Sequence, residues 1–186
     1  AEEIWADTAG QADVLVAGGG PAGVGAALAA ARAGAKTMLL EKANALGGMA
    51  TAGMMSHWSG ARQLPLLQEI IDRMRASSSL PPDREITSEY NEKWCISHEC
   101  QKTALAELLA EAAVTVQLHT MVAGVIKEGD RVCGVITESK PGREVILAKV
   151  VIDATGDGDL AARAGVEFSL GREEDHRCQP VTLMFR

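Results

Sequence analysis

The stretch LVAGGGPAGVGAA, Leu15–Ala27, constrains this chain more than any other part of it. The apolar run ADVLVA, residues 12–17, leads in and predicts a strand. The run PAGVGAALAAARA, residues 21–33, leads out; it is rich in strong helix formers and poor in branched residues, and so predicts a helix. Gly34 is placed to stop that helix, and AKTMLLE, residues 35–41, predicts a second strand ending in an acid. Strand, tight turn, helix and strand make a βαβ unit, which requires parallel strands joined by a right-handed crossover.

Gly18-Gly19-Gly20-Pro21-Ala22-Gly23 satisfies G-x-G-x-x-G. The hexapeptide alone is a weak signal, because glycine turns are common. Its setting after a strand, at the head of a helix and roughly 20 residues before the acid Glu41, gives it weight. Gly18 permits the tight turn, Gly20 lets the backbone approach a pyrophosphate, and Gly23 lets the helix pack near the strand. The helix start offers free N–H groups and a positive dipole end. Glu41 is suited to hydrogen-bond an adenosine ribose, and a 2′-phosphate there would meet like charge, so NADP is disfavoured. The loop is read as holding a dinucleotide; the alternative is a turn that merely needs glycine.

Beyond residue 41 the alternation of strand and helix lapses. A loop rich in glycine and methionine, ALGGMATAGMMSHWSG, spans 45–60, followed by a helical pattern over 64–75 and a proline-broken loop, SSSLPPDRE. Residues 98–112 predict another helix with Leu105, Leu108 and Leu109 on one face, and TVQLH a buried strand. Residues 121–149 alternate apolar and polar, broken at EGD and KPG, which predicts a three-stranded antiparallel meander. VVIDATGDGD then reads as a separate, continuously apolar strand entering a second glycine turn. QPVTLMF, residues 179–185, reads as a strand just beginning, and the chain is expected to be the front part of something longer.

Composition narrows the partners. Net charge is −7 and the isoelectric point about 5.1; with no extended Lys/Arg cluster and 3% aromatic residues, nucleic acid is not expected as a partner. No apolar run reaches the roughly 18 residues of a membrane span, so the chain is read as soluble. The four cysteines, Cys95, Cys100, Cys133 and Cys178, form no CxxC pair and are read as reduced thiols. CISHEC brings Cys95, His98 and Cys100 together at a spacing that fits no structural zinc pattern, so no metal is expected. A cytoplasmic location is expected, with a cleaved secretory signal the alternative.

With the motifs in place, the chain resembles the bacterial FAD-dependent oxidoreductases of the glutathione-reductase/fumarate-reductase flavoprotein superfamily. The resemblance runs from about Ala12 to the end through LEKANALGGMATAG, KVVIDATGDGDLAARAG and QPVTLMFR, three separated motifs in order. It implies an α/β fold: a Rossmann-like FAD/NAD(P)-binding domain, a parallel sheet with helices and an inserted three-stranded antiparallel β-meander. The implied division is a polar lead-in (1–11), the FAD-binding domain (12–168) and the start of a substrate or cap domain (169–186).

The resemblance also implies site residues. Gly18, Gly20, Pro21, Ala22 and Gly23 would cradle the FAD pyrophosphate, and Glu41, with Lys42 beside it, would meet the ribose. Gly47, Gly48, Met49 and Thr51 match the loop along the ribityl chain, and Val122 a backbone contact to adenine. Ala154, Thr155 and Gly156 match the turn near the dinucleotide. Asp157 and Asp159 follow it, either as flavin contacts or as N-caps of the next helix. Met49, Met54 and Met55 read as packing residues. His57 follows the glycine pair, unlike the histidine that carries FAD covalently in some relatives, so non-covalent FAD is expected.

The flavin would carry a two-electron or hydride transfer. The substrate is an unidentified small molecule, with a nicotinamide or other electron donor or acceptor as second partner. No catalytic side chain is assigned; Thr51 and His57 are the nearest to candidates beside the ring. Two alternatives stand: an NAD-binding or thiazole-synthase-like enzyme, and a non-catalytic, truncated dinucleotide-binding module.

Overall fold

β-Branched and leucine residues alternate along ADVLVA, so once this segment is central in a sheet it has apolar side chains for both faces. The computed structural model describes residues 7–55, 57–58, 64–76, 88–89, 93–95 and 97–184. In it that segment is the end of β1 (Asp7–Ala17), followed by α1 (Pro21–Arg32) and β2 (Thr37–Leu40). Leu15 and Ala17 face one core, with Met38 and Leu40. Val16 faces the other with Leu39, against Val24, Ala27 and Leu28 of α1. The helix closes as expected: the Gly34 and Ala35 amides donate back to Ala31 and Ala30, with Gly34 at φ +90°.

Three short strands and two helices come next. β3 (His57–Trp58), β4 (Ser88–Glu89) and β5 (Lys93–Cys95) form a small antiparallel sheet in the order β3-β5-β4. Helices α2 (Pro65–Ala76) and α3 (His98–Glu111) bury Ile71 and Met74, and Leu105, Leu108 and Leu109, in the core that α1 shares. The predicted loop SSSLPPDRE and the first six residues lie outside the described residues.

The main sheet is completed by β6 (Thr115–Gln117), β7 (Met121–Glu128), β8 (Arg131–Ser139) and β9 (Gly142–Asp153), in the order β6-β2-β1-β9-β8-β7. A short helix, α4 (Asp159–Ala164), follows β9. β6, β2, β1 and β9 run parallel, and β9, β8 and β7 are antiparallel. Among the described residues no helix is long and apolar enough to cross a membrane.

Four details depart from the sequence reading. The meander's third strand and the VVID strand are one: β9 pairs with β8 through Leu147 and with β1 along Glu144–Asp153. REVILAKVVID holds no glycine or proline to interrupt it, and the single Lys149 sits exposed, paired to Asp13 at 2.7 Å. β1 begins at Asp7, not Ala12, because the long β9 supplies partners for Asp7, Thr8, Gly10 and Gln11, with an irregularity at Ala9. The TVQLH strand is short and half-exposed, as befits an edge. Residues 179–184 form no strand, and Val181 and Leu183 stand exposed; Phe185 lies outside the described residues.

One connection shapes the whole sheet. β6 and β7 occupy opposite edges, yet only residues 118–120 join them. Five strand spacings laid flat would separate the edges by about 24 Å. The link reaches at most about 15 Å. The meander therefore bends back over the sheet, which brings the start of β7 beside the end of β2.

Candidate functional site

The parallel strands end in register: Ala17 of β1 lies opposite both Leu40 of β2 and Asp153 of β9. The next residue of each, Gly18, Glu41 and Ala154, starts a turn on the carboxyl edge, where ligands of open α/β sheets bind. Backbone bonds lock this row. The Gly18 amide donates to Leu40 O and the Ala154 amide to Ala17 O, both at 2.8 Å.

The three motif glycines have different reasons to be glycine. Gly18 holds φ +101°, and a β-carbon on it would lie 2.3 Å from the Ala154 carbonyl oxygen. A β-carbon on Gly23 would lie 1.8 Å from the Gly18 carbonyl oxygen. Gly20 is unlike both: a β-carbon there meets no atom of the described residues within 4 Å. Gly20 is the N-cap of α1, in extended geometry, with Pro21 at the first helical position. Pro21 and Ala22 are exposed, and the first turn carries no acid to neutralise its N–H groups.

Glu41 is buried, 7% exposed. One of its carboxylate oxygens accepts from the Gly19 amide and the other from the Ala43 amide, each at 2.7 Å. The carboxylate is thus fixed before any ligand arrives, with lone pairs left over on both oxygens. Glu41→Ala is expected to weaken dinucleotide binding by about 1.5–3 kcal/mol. Because the buried Gly19 N–H is left without its partner, the melting temperature is expected to fall as well; titration calorimetry and thermal unfolding check the two effects.

A cleft of about 50 Å³ opens beside this carboxylate and gathers Gly18, Glu41, Lys42, Val122 and Thr155 of the sequence-derived set. Thr120, Met121 and Asp159 join its lining; Thr120 and Met121, like Val122, reach it through the bend of the meander, and Asp159 from the start of α4. Gly156 and Asp157 are exposed and outside the lining.

The second glycine pair packs directly on the first loop. The Gly47 amide donates to Gly19 O at 2.7 Å, and a β-carbon on Gly48 would lie 3.1 Å from the Gly20 Cα. The turn that follows, a single 3-10 turn over Gly48–Ala50, presents Met49 outward at 60% exposure. Thr51 points inward: it is buried, and its hydroxyl donates to the Leu46 carbonyl. The His57 side chain lies outside the described residues.

Two polar residues beneath the loops have structural roles that the sequence did not assign them. His98, buried at the head of α3, sets Nδ1 3.2 Å from the Ala50 carbonyl. Ser97, just before it, caps α3. His98 and the buried Cys100 are thus built into the scaffold, and among the described residues no three His, Cys, Asp or Glu side chains gather to hold a metal. The other is Asp153. Its Oδ1 accepts from the Thr155 amide (3.0 Å) and hydroxyl (2.7 Å), and its Oδ2 from the Ala161 amide (2.8 Å). Thr155 Oγ1 in turn accepts from the Asp159 amide at 2.9 Å. The cap of α4 is therefore built by Asp153 and Thr155. Asp157 and Asp159 do not supply it: the N-cap position is Gly158, at φ +70°. The signal was present in D-A-T, an acid two residues before an amide it can accept from.

Partial burial opposes ionisation of Asp153, but the Ala161, Thr155 and Leu160 hydrogen bonds outweigh it and hold its carboxyl below the ordinary aspartate range. A depressed folded value means the contribution to stability is complete above the unfolded value near 4. It is lost as pH falls through that value toward the folded one. Thermal unfolding from pH 6 to pH 3 is expected to show this loss, and Asp153→Asn to flatten that limb of the profile.

Comparison with known proteins agrees with this geometry. The family model of FAD-dependent oxidoreductases matches residues 13–186. A digeranylgeranylglycerophospholipid reductase of Methanocella arvoryzae is 30% identical over 182 residues, covering 89% of this chain and 45% of its own. A thiamine thiazole synthase of Aeropyrum pernix is 30% identical over 164 residues, covering 82% and 57%. Among solved structures, a geranylgeranyl bacteriochlorophyll reductase-like protein of Thermoplasma acidophilum superposes with TM-score 0.61 at 25% identity, covering 84% of this chain and 42% of that one. This chain thus spans about half the length of the curated relatives it matches. By motif order, sheet topology and the near full-length family match, the chain belongs to the FAD-dependent oxidoreductase family.

Proposed function

We propose that the chain is the cofactor-binding portion of an oxidoreductase whose FAD lies with its dinucleotide along the carboxyl edge of the sheet. The observation that carries this is the open space at Gly20, set between an uncapped helix start and a fixed carboxylate. A turn that needed glycine only for its own packing would resemble Gly18 or Gly23, where side chains are excluded by neighbouring backbone. At Gly20 no described residue excludes a side chain.

The residues fit the group. Gly18, Gly20, Pro21, Ala22 and Gly23 would take the pyrophosphate on α1's free N–H groups. Glu41 would accept from ribose hydroxyls, with Lys42 and the Val122 backbone along the adenosine half of the cleft. Gly47, Gly48 and Met49 would follow toward the ring, with Thr51 holding their turn from below. Ala154, Thr155, Gly156 and Asp157 would border the opposite side. Bound FAD supplies two-electron redox chemistry, for which the protein provides binding, orientation and electrostatics.

The substrate is proposed to be a small molecule, and the second partner a nicotinamide or other electron carrier, in a cytoplasmic setting. The absorption spectrum of the purified protein tests the proposal. Bands of an oxidised flavin are expected, with FAD released on denaturation. A colourless protein that captures added NAD and ignores FAD would favour the second reading, an NAD-binding or thiazole-synthase-like enzyme, which the thiazole synthase relative keeps in view.

A further inference from the structure

Asp153 ends β9 beside Ala17, and its side-chain hydrogen bonds are made within the following eight residues, to Thr155 and Ala161. A partly buried carboxylate is costly to keep unless it is well partnered, and this one gathers three donors. Stabilising α4 for its own sake explains little, since that helix has only six residues. Its far end is held independently, by Lys127 Nζ donating to the Ala164 carbonyl at 2.7 Å.

What the carboxylate fixes is the turn between strand and helix. Thr155 lines the cleft, and the Ala154 carbonyl is the atom that comes nearest a β-carbon built on Gly18. The Thr155 hydroxyl relays the hold, donating to Asp153 while accepting from the Asp159 amide. A shift of this turn moves one wall of the cleft toward or away from the glycine loop.

We propose that Asp153 is a positioning residue for the dinucleotide: by tying Thr155 and the first turn of α4 to the end of β9, it holds the Ala154–Gly156 turn at the spacing from the glycine loop that receives FAD. This rests on the reading of the cleft as the FAD site. Asp153 acts through Thr155 and Ala154 and needs no contact with the cofactor itself.

The test measures the FAD dissociation constant by flavin fluorescence quenching on FAD-free protein, together with that protein's melting temperature. The variants are D153N, T155V and L160A. Asn at 153 keeps one acceptor but turns an N–H₂ toward the Ala161 amide, a donor against a donor. T155V is nearly isosteric and removes only the relaying hydroxyl. L160A removes a buried side chain of α4 without touching the carboxylate, and so reports what loosening the helix does by itself.

D153N and T155V are expected to weaken FAD about tenfold or more, well beyond L160A even where L160A lowers the melting temperature as much. If D153N does not fold, T155V carries the comparison. Wild-type affinity in D153N and T155V, or a loss no larger than that of L160A, overturns the proposal. A parallel G20D variant separates the underlying reading: wild-type FAD affinity there would show that the FAD site is misplaced, whatever Asp153 does.

Discussion

Gly23→Ala is expected to destabilise the protein by about 3 kcal/mol or more, at the upper end of overpacking changes. The added methyl would lie 1.8 Å from the Gly18 carbonyl oxygen. That atom belongs to backbone held on both sides, by the Gly18 amide on Leu40 and by the Gly47 amide on Gly19 O. Relief requires α1 to lift from the end of β1, and Val24, Ala27 and Leu28 would then leave a core they now fill. Thermal or denaturant unfolding of the FAD-free protein reads the loss directly. A change within about 0.5 kcal/mol, the usual range of surface substitutions, would mean that the approach of helix and strand is looser than described here.

Gly20→Asp is expected to do the opposite to the fold and to abolish FAD capture. Aspartate is among the best N-cap residues, Gly20 already has N-cap geometry, and a β-carbon there enters open space. The FAD-free protein is therefore expected to keep or slightly raise its melting temperature. The same carboxylate would fill the space left for the pyrophosphate and oppose its charge at the helix start. Binding and stability move in different directions, so a folding defect cannot imitate the result. Retained FAD affinity in this variant would refute the placement of the site.

The contrast between these glycines explains how far the sequence could be read. Their spacing, the helix after them and the acid at 41 are local patterns, and local patterns survive into the fold. The steric duties of Gly18 and Gly23 were also legible, since each follows from position in a strand-turn-helix. What stayed hidden depended on long-range pairing. Only the partnership with β1 decides that REVILA and KVVID form one strand, and the same partnership recruits Asp7, Thr8, Gly10 and Gln11. Thr51 carries the right chemistry to face a ligand, but its hydroxyl is turned to Leu46 by the tightness of its own turn. Asp153 was passed over in favour of Asp157 and Asp159 because a row of acids after a strand gives no hint which one points inward. The β-like composition of 179–184 is real, yet composition does not provide a partner strand.

The bend that carries β7 from one edge of the sheet back to the other has a consequence for how the molecule is made. Its cleft is walled by Gly18 and Glu41 on one side and by Val122, Thr155 and Asp159, roughly eighty or more residues further along the chain, on the other. The central pairing, β1 with β9, joins residues more than a hundred positions apart, and contacts of such separation form slowly. On a ribosome the glycine loop emerges before the residues that complete the cleft and stays half-built until they follow. It gains its second wall only once the turn after β9 has been synthesised, so a cofactor taken up in this cleft would be captured after that turn has emerged.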